Sequence, residues 1–276
     1  MPETAAELGT LKAPLMPNWF RRCLYFLAAL AVLATGLQIY SVVPAGFEVW
    51  PLALQPDTRR LVLLFHGSGG RDEPTMIALE DHLRGLPAAG AGPVILRYVW
   101  SPFSDARLRA YANGTRVGAR LGEELAALPQ LESIHLIGHS AGAYVLEPLC
   151  AAFRAGTDGQ PGRRTRIEMT YLDPIGFRGP FDPGWGSRHY GRCADDAEAF
   201  INTDDPTPAT AAVLRHARTM DVTNDPGRKT FRGGGHRWPV QYYINHLTLS
   251  GGSVTALRSV DADTGLGDDR SQSNRD

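Results

Sequence analysis

The chain has 276 residues, 43% of them hydrophobic and 21% charged, enough for a packed core of single-domain size and too apolar for wholesale disorder. With 28 Lys and Arg against 29 Asp and Glu, the formal net charge of -1 excludes the basic footprint of a nucleic-acid-binding protein. Cys23, Cys150 and Cys193 are too few for a disulfide scaffold and lack the spacing of a zinc site, so the sequence calls for no metal or other cofactor.

The first element is the uncharged run from Leu24 to Val43, long enough to cross a bilayer as a helix. Lys12, Arg21 and Arg22 precede it and no basic residue follows until Arg59, which predicts a cytoplasmic N-terminus and a bulk chain on the periplasmic or extracellular side. A cleaved signal peptide is the alternative, and the apolar length favours the uncleaved anchor. The expected organisation is a cytoplasmic segment over 1–22, a transmembrane anchor over 23–43, a catalytic domain over 46–257 and a disordered tail over 258–276.

Within the domain, apolar β-rich runs alternate with segments of helical period, the pattern of a mainly parallel sheet covered by helices on both faces. Strands are expected at Phe47 to Leu54, Leu61 to Phe65, Val94 to Tyr98, Ile134 to Ile137, Ile167 to Leu172, Ala197 to Ile201 and Arg218 to Val222. Helices are expected at Glu73 to Leu86, Asp105 to Leu128, Ala141 to Ala155, Pro208 to His216 and Val240 to Leu247. Cys150 and Cys193 either pair in an oxidising compartment or remain two buried thiols.

The strand IHLIG runs into Gly138-His139-Ser140-Ala141-Gly142 and then into a helical pattern. A serine hydroxyl becomes a nucleophile when a tight strand-to-helix turn exposes it beside a base, and the flanking Gly138 and Gly142 permit such a turn. The earlier strand LVLLF ends in His66-Gly67-Ser68-Gly69-Gly70, a loop placed to offer the Ser68 amide to an oxyanion with the Ala141 amide as its partner. Asp173, between the strand IEMTYL and Pro174, is the expected acid, with Asp204 and Asp205 as rivals. His236 in a Gly-rich loop is the expected base, against His246 and His216. His66 and His139 are expected to shape the loops by hydrogen bonding. The segment from Gly176 to Cys193 is expected to overhang the pocket.

From Leu61 to Leu247 the chain resembles the pancreatic-lipase-like family within the α/β-hydrolase superfamily. The resemblance rests on LVLLFHGSGG, Tyr98-Val99-Trp100-Ser101, RAYANGTRVGARLGEELAAL, IHLIGHSAGAY and the acid in Tyr171-Leu172-Asp173-Pro174. It departs from that family at Ala141, where Leu is usual, and at Tyr144, where His is frequent, and it lacks the family's many disulfides, C-terminal lipid-binding domain and long lid. What the resemblance implies is an α/β-hydrolase fold, a triad of Ser140, Asp173 and His236, and esterase or phospholipase-like action on small-molecule or lipid esters; triglyceride preference does not carry over. Amide or thioester hydrolysis, and a non-catalytic binding role, remain the alternatives.

Overall fold

The computed structural model describes residues 17–87, 92–160, 162, 164–204 and 207–249. The expected tail over 258–276, most of the expected segment over 1–22, and the rival acid Asp205 lie outside the described residues.

Helix α1, Asn18–Val42, is exposed along almost its whole length and is long and apolar enough to span a membrane. The domain follows as β1 (Arg60–Phe65), α2 (Pro74–Gly85), β2 (Val94–Tyr98), α3 (Ala110–Ala126), β3 (Ser133–His139), α4 (Ala143–Thr157) and β4 (Arg166–Leu172). It continues with α5 (Trp185–His189), β5 (Asp196–Ile201), β6 (Arg218–Asp221), α6 (Pro226–Thr230) and α7 (Trp238–Leu249). The strands form one parallel sheet in the order β2-β1-β3-β4-β5-β6.

The pleat divides the core in two. Leu61, Leu63 and Phe65 of β1 face the cluster that holds Val117 and Leu121 of α3 and Leu149 of α4. Val62 and Leu64 face the opposite cluster, with Leu79 of α2 and Val240 and Tyr243 of α7. Helices therefore cover both faces, which is why the strands read as continuous apolar runs.

The chain steps outward from β1 to β2, then returns past β1 to build β3 and the rest of the sheet in the other direction. The loops after β1 and β3 consequently diverge to opposite faces and leave a crevice at the carboxyl edge, the place where open parallel sheets bind ligands. Ser68 follows β1 and Ser140 follows β3, so both stand at this crevice. Cys150 of α4 is bonded to Cys193, with a Cα–Cα distance of 6.0 Å, tying α4 to the segment that leads into β5.

Two expected elements do not form. Residues 47–54 are not a strand: Pro51 lacks an amide, Ala53 has φ 51°, and the Leu52 amide donates to the Glu124 carboxylate of α3. Phe47 stacks on Phe103 with ring centroids 3.5 Å apart, so the segment's apolar alternation serves packing outside the sheet. Residues 208–216 are not a helix: Ala209 has φ 63°, the Leu214 amide donates to Thr219 Oγ1, and the Arg215 amide donates to the Ser187 carbonyl in place of an i−4 partner. The expected helix from Asp105 starts as an α-helix only at Ala110, behind two single 3₁₀ turns. Helices α5 and α6 lie in stretches read from sequence as loops; Asp225, whose carboxylate accepts the Gly227 amide, caps α6.

Candidate functional site

Strand β3 passes into a 3₁₀ turn over Ser140–Gly142 before α4 begins. Ser140 sits at φ 54°, a left-handed conformation that costs a non-glycine residue about 1 kcal/mol or more and persists only when its surroundings enforce it. They do so through close packing. A Cβ on Gly142 would overlap the Phe65 carbonyl at the end of β1, and a Cβ on Gly67 would lie 2.8 Å from that of Ser140. The two strand ends are thus pressed together at Ser140, whose carbonyl also accepts the Ile175 amide at 3.2 Å.

Asp173 follows β4, fully buried and also left-handed at φ 46°. Its Oδ2 faces His236 Nδ1 at 2.7 Å, and its Oδ1 accepts the Asn202 amide at 3.0 Å. Asn202 is itself buried and donates from Nδ2 to the Gly235 carbonyl at 3.0 Å, so one residue at the end of β5 fixes both the acid and the loop carrying His236. Asp173 Oδ2 takes the imidazole's Nδ1–H and leaves Nε2 as the ring's acceptor, the tautomer a general base requires.

Ser140, His236, Ser68 and Ala141 line one cleft of about 370 Å³, whose walls include Ala110, Tyr144, Ile175 and Phe177. A more polar hollow of about 200 Å³ adjoins it on the side of Gly69, Glu73 and Arg237, and the two meet at Ser68, Ser140 and His236. Ala141 opens a helical turn, where amides have no partner inside the helix and point toward incoming negative charge.

The two supporting histidines have opposite chemistry. His66 is buried; its Nε2 accepts the Trp100 amide at 3.2 Å while its Nδ1–H donates to the Gly67 carbonyl at 2.7 Å. Burial holds it neutral by pulling its pKa down, and the Trp100 indole donates back to the His66 carbonyl at 2.8 Å. His139 Nε2–H donates to the His236 carbonyl at 2.9 Å, while its Nδ1 meets Glu73 Oε2 at 3.0 Å. Burial opposes charge on this imidazole, but the Glu73 carboxylate and the two hydrogen bonds outweigh it and raise the pKa. Burial likewise opposes charge on Glu73, and His139, Thr75 and Arg237 together hold its carboxyl down at about 2. The pair is therefore an ion pair, and its imidazolium grips the backbone of His236.

Asp204 is half-exposed and paired with Arg228 at 3.0 Å, and its Oδ1 also accepts Asn202 Nδ2, whereas the carboxylate on His236 Nδ1 is that of Asp173. His216 is exposed, and His246 packs its ring among Phe200 and Tyr242 on α7, neither of them lining the cleft. Of the 176–193 segment only Phe177 lines the cleft, held by Tyr144 Oη donating to its carbonyl at 2.8 Å; Thr207 and Pro208 form part of the wall instead. Glu73 and Asn202 escaped sequence reasoning, since each acts through residues more than 25 positions away.

Among the described residues no cluster of His, Cys, Asp and Glu is suited to a metal. The chain matches no protein-family model and no curated protein.

Proposed function

We propose that the protein is a membrane-anchored serine hydrolase of the α/β-hydrolase fold that cleaves carboxylic esters. The observation that carries this reading is the contact of 2.7 Å between buried Asp173 and His236 in a cleft shared with Ser140, a serine held at φ 54°. In this mechanism His236 Nε2 takes the Ser140 proton as Oγ attacks the acyl carbon, and the Ser68 and Ala141 amides hold the oxyanion. His236 then protonates the departing alcohol. Water, deprotonated by the same imidazole, attacks the acyl-enzyme and releases the acid, returning the proton to Ser140.

The apolar walls of Ala110, Tyr144, Ile175 and Phe177 suit an acyl chain, and the polar hollow beyond Ser140 suits the alcohol. The resemblance to the pancreatic-lipase-like family, with its acid in Leu-Asp-Pro, agrees with this assignment. The bonded Cys150 and Cys193 fit an oxidising compartment, in keeping with a domain outside the cytoplasm behind a signal anchor.

The test is turnover of matched p-nitrophenyl esters, thioesters and anilides by the purified full chain in detergent. Ester hydrolysis leading the other classes is the expected outcome; preferential anilide or thioester cleavage would move the assignment to an amidase or thioesterase, and no turnover of any class would remove it.

A further inference from the structure

The C-terminal end of α1 is bonded to two segments that border the cleft. Ser41 is buried there, and Gly179, at φ 65°, has no room for a Cβ because Ser41 Oγ and Gln38 Oε1 occupy its place. Gln38 Oε1 accepts the Phe181 amide at 3.4 Å and its Nε2 donates to the Arg178 carbonyl at 3.4 Å. On the other side Arg109 Nε donates to the Tyr40 carbonyl at 3.1 Å, and its guanidinium lies over the Tyr40 ring at 4.1 Å. These two segments, 107–109 and 177–181, supply Arg107 and Phe177 to the cleft that holds Ser140.

The helix also fixes the level of the bilayer. The uncharged run from Leu24 to Val43 rises about 30 Å at 1.5 Å per residue, the thickness of a hydrocarbon core, with Arg21 and Arg22 just before it and Tyr40 in its last turn. Tyr40 and Gln38 therefore stand at the outer boundary, and the segments bonded to them stand there too. Those segments expose Phe181 and Leu108, which are 64% and 55% accessible, next to the exposed cations Arg107 and Arg178. Apolar tips beside guanidinium groups match an acyl and phosphate boundary.

We propose that Leu108, Phe181, Arg107 and Arg178 seat the cleft mouth on the phospholipid surface, and that the ester entering the cleft is a membrane lipid taken sideways from the leaflet. The substrate part of this inference rests on the hydrolase reading above; the docking surface does not. Arg107 and Phe177 then form the threshold an acyl chain crosses from the bilayer toward Ser140.

The surface is tested in the full chain carrying Cys23→Ser, reconstituted in nanodiscs of phosphatidylcholine with a minor share of phosphatidylglycerol. Bimane attached at Phe181→Cys or Leu108→Cys is expected to be quenched by doxyl-labelled phosphatidylcholine, and bimane at Asp57→Cys, exposed before β1 at the opposite edge of the sheet, is not. Equal response at all three positions would overturn the docking surface, whatever the enzymatic activity. In the second arm, the double variant Leu108→Asp, Phe181→Asp should lose at least about tenfold in hydrolysis of a fluorogenic phospholipid ester embedded in vesicles. Its turnover of p-nitrophenyl butyrate should stay within about twofold of the parent, as for surface changes away from the chemistry. Unchanged hydrolysis of the embedded ester would overturn the inference. A parent that cleaves p-nitrophenyl butyrate but no embedded lipid would overturn the lipid substrate, whereas a parent inactive on both would refute the hydrolase reading and leave the quenching to decide the surface.

Discussion

Asp173→Asn is expected to lower kcat by about 10⁴-fold while KM and the fold change little. The direction follows from the two partners of the carboxylate. Oδ1 accepts the Asn202 amide at 3.0 Å, so an asparagine must place its carbonyl there and turn its NH₂ toward His236 Nδ1. Facing a donor, Nδ1 has to become the acceptor, and the ring proton moves to Nε2. An imidazole protonated at Nε2 cannot take the Ser140 proton. Asparagine has nearly the volume of aspartate, so circular dichroism and thermal unfolding should report an intact domain. A fall of less than about tenfold would mean that Asp173 does not set the tautomer of the base.

Glu73→Ala is expected to destabilise the domain by about 3 to 5 kcal/mol, because it leaves the buried His139 imidazolium without its counter-ion. It should also lower kcat, since His139 Nε2–H holds the His236 carbonyl only while the imidazole keeps this tautomer and charge. The pair gives stability a pH signature. Glu73 is held at about 2 against an ordinary 4.5, so its contribution is full above about pH 4.5 and fades as the pH falls toward 2. His139 is raised above its ordinary 6.5, so its contribution is full below that value and fades as the pH climbs through the folded-state pKa. Urea unfolding should therefore show the largest gap between parent and variant near pH 5 to 6, narrowing on both sides. A constant gap across the range would assign Glu73 a packing role only.

The parts of the site that were legible in the sequence are those whose requirements are local. A strand buried on both faces needs an unbroken apolar run, and a serine at a sharp strand-to-helix turn needs glycines where backbones meet; both appear as contiguous residues from Ile134 to Gly142. Asp173 was legible because Pro174 ends its strand at the carboxyl edge. The segment from Phe47 to Leu54 misled because its alternation reflects packing on Phe103 and Glu124, partners distant in sequence that supply what a neighbouring strand would have. The stretch from Pro208 to His216 misled for a similar reason: alanines with a high helix propensity gave way to a turn fixed by Thr207, Thr219 and Ser187. Glu73 read as the first residue of a helix over Glu73 to Leu86, and only the fold, in which that helix starts at Pro74, brings it under His139. Asn202 likewise gained its role when β4 and β5 paired in register.

Fluorophosphonate labelling followed by peptide mass spectrometry tests most directly whether Ser140 is a nucleophile activated by His236. A single modified residue, Ser140, is expected, with labelling abolished in Ser140→Ala, sharply reduced in His236→Ala and unchanged in His246→Ala. Labelling that survives His236→Ala but fails in His246→Ala would contradict the assigned base, and a folded chain that takes no label at Ser140 would contradict the account as a whole.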